Sequence, residues 1–206
     1  MEKSMAKRGS TLRPVLALLL AFSFLCGCGP SMKPFAGRTL KKGEGVKMAI
    51  LPFENLSKAQ GAGKSMENFV LIEFLKHAPV KIVDPGEVGA VLSKERVRLA
   101  TSIPKETLIA LGKGLGVDLF MMGTVHDFDM QLATGAGGSG QIPVVAVSLR
   151  ILDASSGDIV WASNAARRGN DRETVFGIGR IHSLNNLAEE TASEFAKAFA
   201  ASLKKS

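Results

Sequence analysis

The sequence predicts an α/β domain with a mixed parallel and antiparallel sheet, flanked by helices and closed by a C-terminal amphipathic helix packed on that sheet. Three observations predict it. Short apolar runs suited to strands alternate with helix-period segments from Val46 to Gly116. Next come two β-rich runs, "VDLFMMGTVHDFDMQL" and "VVAVSLRILD", and "SSGD" turns the second into a third, "IVWASNAARR". The segment from Ser183 to Lys205 carries Leu184, Leu187, Phe195 and Phe199 on one helical stripe.

The elements follow in order. Lys3, Lys7, Arg8 and Arg13 precede an apolar run from Val15 to Leu25, "VLALLLAFSFL". A helix needs about 20 residues to cross a bilayer, so this run fits the hydrophobic region of a secretory signal. It ends in "LCGC", Leu25 to Cys28, which holds both cysteines of the chain. A zinc site wants C-x2-4-C and a second ligand pair, whereas the spacing is C-x-C and His77, His126 and His182 are scattered singly. A disulfide between Cys26 and Cys28 would close a small strained ring. The stretch resembles a bacterial lipobox. That resemblance implies diacylglycerol transfer to the Cys28 sulfur, cleavage after Gly27 and loss of Cys26, giving a signal peptide over residues 1–27. Two or three acyl chains make a durable anchor, and Gly29 in place of an aspartate favours the outer membrane.

Residues 28–45 read as a lipidated flexible tether. From Gly29 to Gly45 there are four glycines, two prolines and four basic residues, without periodicity. Fully extended, such a tether spans at most about 56 Å. Residues 46–206 form the domain. The signal carries a net +3 of the chain's +7, which leaves a mildly basic mature protein. No compact Lys/Arg cluster with interleaved aromatics points to nucleic acid.

"VKMAILPF" is a strand ended by Pro52. "GKSMENFVLIEFLKHA" is a helix with Met66, Phe69, Val70, Glu73, Phe74 and His77 on one side. Leu71, Ile72 and Leu75 make its other side apolar too, so both sides are expected to be largely buried. "VKIVD" is a strand. Asp84 then caps a helix with Pro85 at its first position and Glu87 in its first turn, and Val88, Val91 and Leu92 form the buried stripe. Pro104 opens a third helix with Leu108, Leu111 and Leu115 inside and Gly116 as its stop. The glycine-rich "GAGGSG", residues 135–140, reads as the loop between the two long strands.

Four features invite a chemical reading. "GAGKS", residues 61–65, lies between a strand and a helix as a phosphate-binding loop does, but Lys58 stands where that pattern needs its first glycine. Asp127 and Asp129 share one strand face near His126, a conceivable glycosidase acid pair. The plainer reading is a half-exposed strand with polar residues outward. His126 and His182 have no nucleophile that sequence alone identifies. Trp161 reads as a packing residue. No catalytic, cofactor or metal site is expected.

"MAILPFENLS", "LGKGLGVDLFMMGTV" and "VSLRILDASSGDIVWAS" resemble the CsgG-like lipoproteins. That broad group includes the curli secretion channel and the penicillin-binding-protein activator LpoB, and a related motif occurs in the amino-terminal domain of TolB. The resemblance runs from about Val46 to Phe199, and its most specific part is the hairpin with Asp153, Gly157 and Trp161 in place. It implies a non-enzymatic periplasmic domain tethered to the outer membrane through Cys28, serving envelope assembly or secretion with other envelope proteins, and it allows a homo-oligomer. An LpoB-like activator of a peptidoglycan synthase is the alternative, and an envelope hydrolase a third. In the curli channel, segments after the long central strand and after the Trp161-like strand extend into barrel hairpins. Here "RRGNDRE", residues 167–173, has five charged side chains, several of which would face lipid. The chain is therefore expected to be held by its lipid alone.

Cys28→Ser is expected to abolish incorporation of labelled fatty acid and leave the precursor uncleaved. Fatty acid still entering that variant would remove the lipobox reading.

Overall fold

Period-two alternation decides which sheet faces are buried. In "KMAIL" and "LFMM", Met48, Ile50, Leu119 and Met121 enter one hydrophobic cluster, and Ala49, Leu51, Phe120 and Met122 enter another. Successive side chains of a strand point to opposite faces, so this part of the sheet is covered on both. The structure, a computed structural model, describes residues 32–37, 45–97, 102–135, 138–174 and 177–205.

The strands are β1 (Phe35–Ala36), β2 (Lys47–Ile50), β3 (Glu54–Asn55), β4 (Lys81–Ile82), β5 (Leu119–Gly135), β6 (Gly138–Asp153) and β7 (Ile159–Arg168). The helices are α1 (Ala62–His77), α2 (Pro85–Lys94), α3 (Lys105–Leu115) and α4 (Leu184–Lys205). The strands run β1-β7-β6-β5-β2-β4, with β3 also on β5. β2 is parallel to β4 and β5, β3 is parallel to β5, and the remaining pairs are antiparallel. The mixed α/β sheet expected from sequence is the observed one. Met66, Val70 and Phe74 of α1 join Leu187, Phe195 and Phe199 of α4 on one face. Val88 and Leu92 of α2 join Leu108, Leu111 and Leu115 of α3 on the other.

Local chemistry sets the helix ends. The Asp84 carboxylate accepts from the Gly86 amide at 2.8 Å, and Pro85 occupies the first turn, where its missing N–H costs nothing. Gly116 ends α3 at φ 60°, a left-handed conformation that suits glycine, and its amide donates to the Gly112 carbonyl. Gly63 begins α1 close to β3, where an added Cβ would lie 2.7 Å from the Phe53 carbonyl oxygen.

Three expectations are corrected. The outer side of α1 is open: Ile72 is 47% and Leu75 61% exposed. The helix rests on one sheet face and on α4, and among the described residues no element covers its far side. Glu67 and Glu73 are buried instead, each bonded to a lysine three residues on or back. β6 begins at Gly138, so most of the glycine-rich segment belongs to a long hairpin. Glycine's lack of a side chain hides a strand from pattern reading, while its backbone still forms the ladder from Leu119↔Asp153 to Gly135↔Gly138. Finally, part of the expected tether is laid on the sheet edge. Phe35 and Ala36 pair with Ala162 and Trp161, the Gly37 amide donates to the Val160 carbonyl at 2.7 Å, and Met32 packs against the main core. Among the described residues, no helix is long and apolar enough to cross a membrane.

Trp161 is fully buried, edge-on to Phe195 (6.4 Å between ring centres) and Phe199 (5.7 Å). Phe199 stacks in turn on Phe74 at 5.6 Å. Trp161→Ala is expected to lower the unfolding free energy by about 3–5 kcal/mol, measured by chemical denaturation. A loss below about 1 kcal/mol would mean that α4 is not held through this ring.

Candidate functional site

The turn between β6 and β7 is built from its first residue. The Asp153 carboxylate accepts from the Ser155 amide at 2.8 Å, the Ser156 amide at 3.0 Å and the Ser155 hydroxyl. Gly157 sits at φ 71°, and its amide donates to the Asp153 carbonyl at 2.7 Å. An added Cβ there would also meet the Lys105 side chain at 2.8 Å. Lys105 ion-pairs with Asp158 at 2.9 Å. Its ammonium, followed by the Ser156 hydroxyl, holds the Asp158 carboxyl below its ordinary range. Asp153, Gly157 and Trp161 therefore belong to one rigid corner that joins the hairpin to α3 and, through the buried indole, to α4. Cys28 lies outside the described residues.

The polar face of the central strands carries the other candidates. A bulge between Val125 and Asp127 shifts the alternation of β5. Val125 and Phe128 both turn to the main core, while His126, Asp127 and Asp129 are exposed. His126 Nε2 is 2.9 Å from the Ser148 hydroxyl. Sequence could not reveal this pair, because register across the hairpin creates it. Asp129 accepts from the Met130 amide at 2.7 Å, which spends one carboxylate oxygen on its own strand. A glycosidase pair flanks a bound sugar, whereas these two carboxylates stand on an open strand surface.

"GAGKS" is accounted for by packing. Gly61 takes the left-handed N-cap at φ 77°, Gly63 is buried against β3, and Lys64 pairs with Glu67 at 2.6 Å. Among the described residues, no group of three or more His, Cys, Asp and Glu could hold a metal ion.

One cleft carries concentrated charge. An opening of about 420 Å³ between α1 and α4 is lined by Glu73, Lys76, His77, Asn186, Glu189, Glu190 and Ser193. The Glu73 side chain forms its floor at 4% exposure, with Lys76 Nζ at 2.6 Å and His77 Nε2 at 3.4 Å. Lys76 also reaches Glu189 at 3.6 Å and so bridges the two helices. Burial pushes the Glu73 pKa up, but hydrogen bonds from Lys76 and Ser193 and the nearby charges of Lys76 and His77 outweigh it, and the net shift is downward. The sequence signal was slight: an acid on the apolar stripe with basic residues three and four positions on.

No protein-family model matches the sequence, and a search of curated proteins finds no match. Solved structures share the fold. The PelC dodecamer from Paraburkholderia phytofirmans matches with TM-score 0.53 and 18% identity, over 83% of this chain and 99% of that one. Lipoprotein GNA1162 from Neisseria meningitidis matches with TM-score 0.51 and 16% identity, over 73% of this chain and 98% of that one. The LpoB C-terminal domain from Salmonella enterica is looser, at TM-score 0.47 and 8% identity, over 75% and 93%. At these identities the likeness is one of fold. The narrower resemblance to CsgG rests on the sequence motifs alone.

The Glu73 carboxyl is lowered from its ordinary value of 4.5. The stability it contributes is therefore present above pH 4.5 and is lost as pH falls through the lower folded value. Lys76→Met removes the largest lowering influence, so acid unfolding followed by circular dichroism is expected to begin at higher pH than in the parent. An unchanged acid midpoint would show that Lys76 does not stabilise the ionised carboxylate.

Proposed function

We propose that this chain is an envelope lipoprotein, held to the periplasmic face of the outer membrane by lipid on Cys28. Its folded domain works by binding other envelope proteins rather than by covalent chemistry. The observation that carries this reading is the lipobox-like "LCGC" ahead of a domain that shares its fold with a protein described as a lipoprotein. The rigid Asp153–Trp161 corner and the sheet clad by helices supply a frame that could present surfaces to a partner.

The finer reading takes two forms. In the first, the domain is a component of an assembly or secretion apparatus and forms a homo-oligomer, as the PelC structure does. In the second, it activates a peptidoglycan synthase, in the manner its resemblance to LpoB implies. Reach bears on both. A tether docked from Met32 leaves four residue steps to Cys28, at most about 14 Å. A domain held so near its membrane is placed to build on that membrane. To activate a synthase beyond the wall, the docked segment would first have to peel away.

The two forms differ in the test tube. Native mass spectrometry of the chain without residues 1–28 is expected to show a discrete homo-oligomer, and crosslinking from outer membranes is expected to capture assembly or secretion proteins. A monomer that raises glycan-strand synthesis by a purified synthase would select the activator form. A monomer that hydrolyses an envelope polymer would overturn both.

A further inference from the structure

The β5–β6 hairpin outreaches the tether. β1 runs antiparallel to β7, so the chain enters β1 from the side towards which β7 and β5 run, the side of the hairpin's turn. Phe35 is level with Ala162, Arg150 and Met122 across the sheet. From Phe35 back to Cys28 are seven residue steps, at most about 25 Å. From the same row, Leu132 and its partner Gln141 lie nine residues out along β6, about 30 Å. A tether that continues along the strand direction therefore cannot carry the Cys28 lipid past the end of the hairpin.

The chemistry of the arm suits what lies there. From Met130 to Leu149 the sequence contains no Asp, Glu, Lys, Arg or His. Leu132 is 76% exposed, more than any other large apolar side chain among the described residues. Charged side chains resume at Asp129 and Arg150, nearer the body of the domain. A lone exposed leucine on a monomer needs no explanation. Here, however, it sits on a charge-free arm, at a distance where the tether brings lipid.

We propose that the outer hairpin around Gln131–Ala133 and the facing Gln141 is a second membrane contact, beyond the point where Ile142 and Pro143 are buried in the domain. It rests in the interfacial layer of the bilayer that holds the Cys28 lipid and fixes the domain's orientation on it. This rests on the lipoprotein reading above. The occupant is a lipid surface, because the arm has no ionised group to desolvate, polar headgroups can bond to Gln131 and Gln141, and Leu132 gains by burial. The contact is peripheral. Each strand of this two-stranded arm pairs along one edge and leaves the backbone groups of its other edge to water or headgroups, so the arm lies in the interface and does not enter the acyl core.

The test uses the full lipidated chain in vesicles of phosphatidylethanolamine and phosphatidylglycerol. Maturation removes Cys26 and alkylates Cys28, so a Leu132→Cys variant offers one free thiol for an environment-sensitive fluorophore. Leu75→Cys is the control. α1 returns between the parallel strands β2 and β4, which puts Leu75 at the end of the sheet away from the arm, and its side chain is 61% exposed. Flotation and the mass of the attached lipid come first; failure there overturns the lipoprotein reading itself. With flotation established, the label at position 132 is expected to emit at shorter wavelength and to be quenched severalfold more by nitroxide lipids than the label at position 75. Equal, weak quenching at both positions would overturn the arm contact and leave the anchor standing. A blue-shifted but unquenched label at position 132 would also overturn it, in favour of a protein surface covering the arm.

Discussion

The burial of one indole holds this domain together. Trp161 stands on β7, in the half of the sheet that α4 covers, and it meets α4 through Phe195 and Phe199. Its ring nitrogen donates to the Ser202 hydroxyl at 3.3 Å, so the polar end of the ring is also satisfied. Phe199 passes the contact to Phe74 and hence to α1. Two helices far apart in sequence are thereby fixed side by side, and the Glu73–Lys76–Glu189 bridge forms at the seam between them. Next to it in the chain, the Val160 carbonyl accepts from the Gly37 amide, so the N-terminal segment docks on the same stretch of β7. Loss of that single side chain would loosen the last helix and the charged cleft together.

Much of this was legible in residue order, for identifiable reasons. Asp84–Pro85, Pro104 and Gly116 are strong local signals because they act through backbone geometry alone, and all three mark helix ends. β2 and the start of β5 were readable as continuous apolar runs because both sheet faces there are covered by helices. Where a property depends on a neighbour, sequence was blind. The outer face of α1 is as apolar as a buried one, and only the absence of a covering element leaves Ile72 and Leu75 in water. β1 is two residues long and follows no pattern of its own; its strand geometry comes from the free edge of β7.

The candidate chemistry followed the same division. Asp153 and Gly157 stood out through the resemblance of their hairpin motif, and the structure supplies the physical reason: the turn uses a side-chain acceptor and a left-handed residue close together. The His126–Ser148 contact spans the hairpin and depends on a bulge that no sequence period announces. Glu73 was visible as an acid on a buried stripe, but its significance depends on α4, more than a hundred residues later in the chain. Local motifs thus identify corners of the frame, and the surfaces that could meet a partner come from long-range register.

The docked segment at β1 also has a consequence in time. Its partners are Trp161 and Ala162, and among the described residues no other strand pairs with it. Ordering it means closing a loop that contains most of the domain, and such distant pairings are slow to form. A chain fed amino terminus first across a membrane would display residues 32–37 long before β7 exists to receive them. On the proposed lipoprotein reading, lipid attachment and signal cleavage would act just upstream of that stretch and would meet an extended, accessible peptide. Only when the last third of the polypeptide has emerged can the segment lie down on the sheet. The fold would then act as a timer, shortening the leash once the domain at its end is complete.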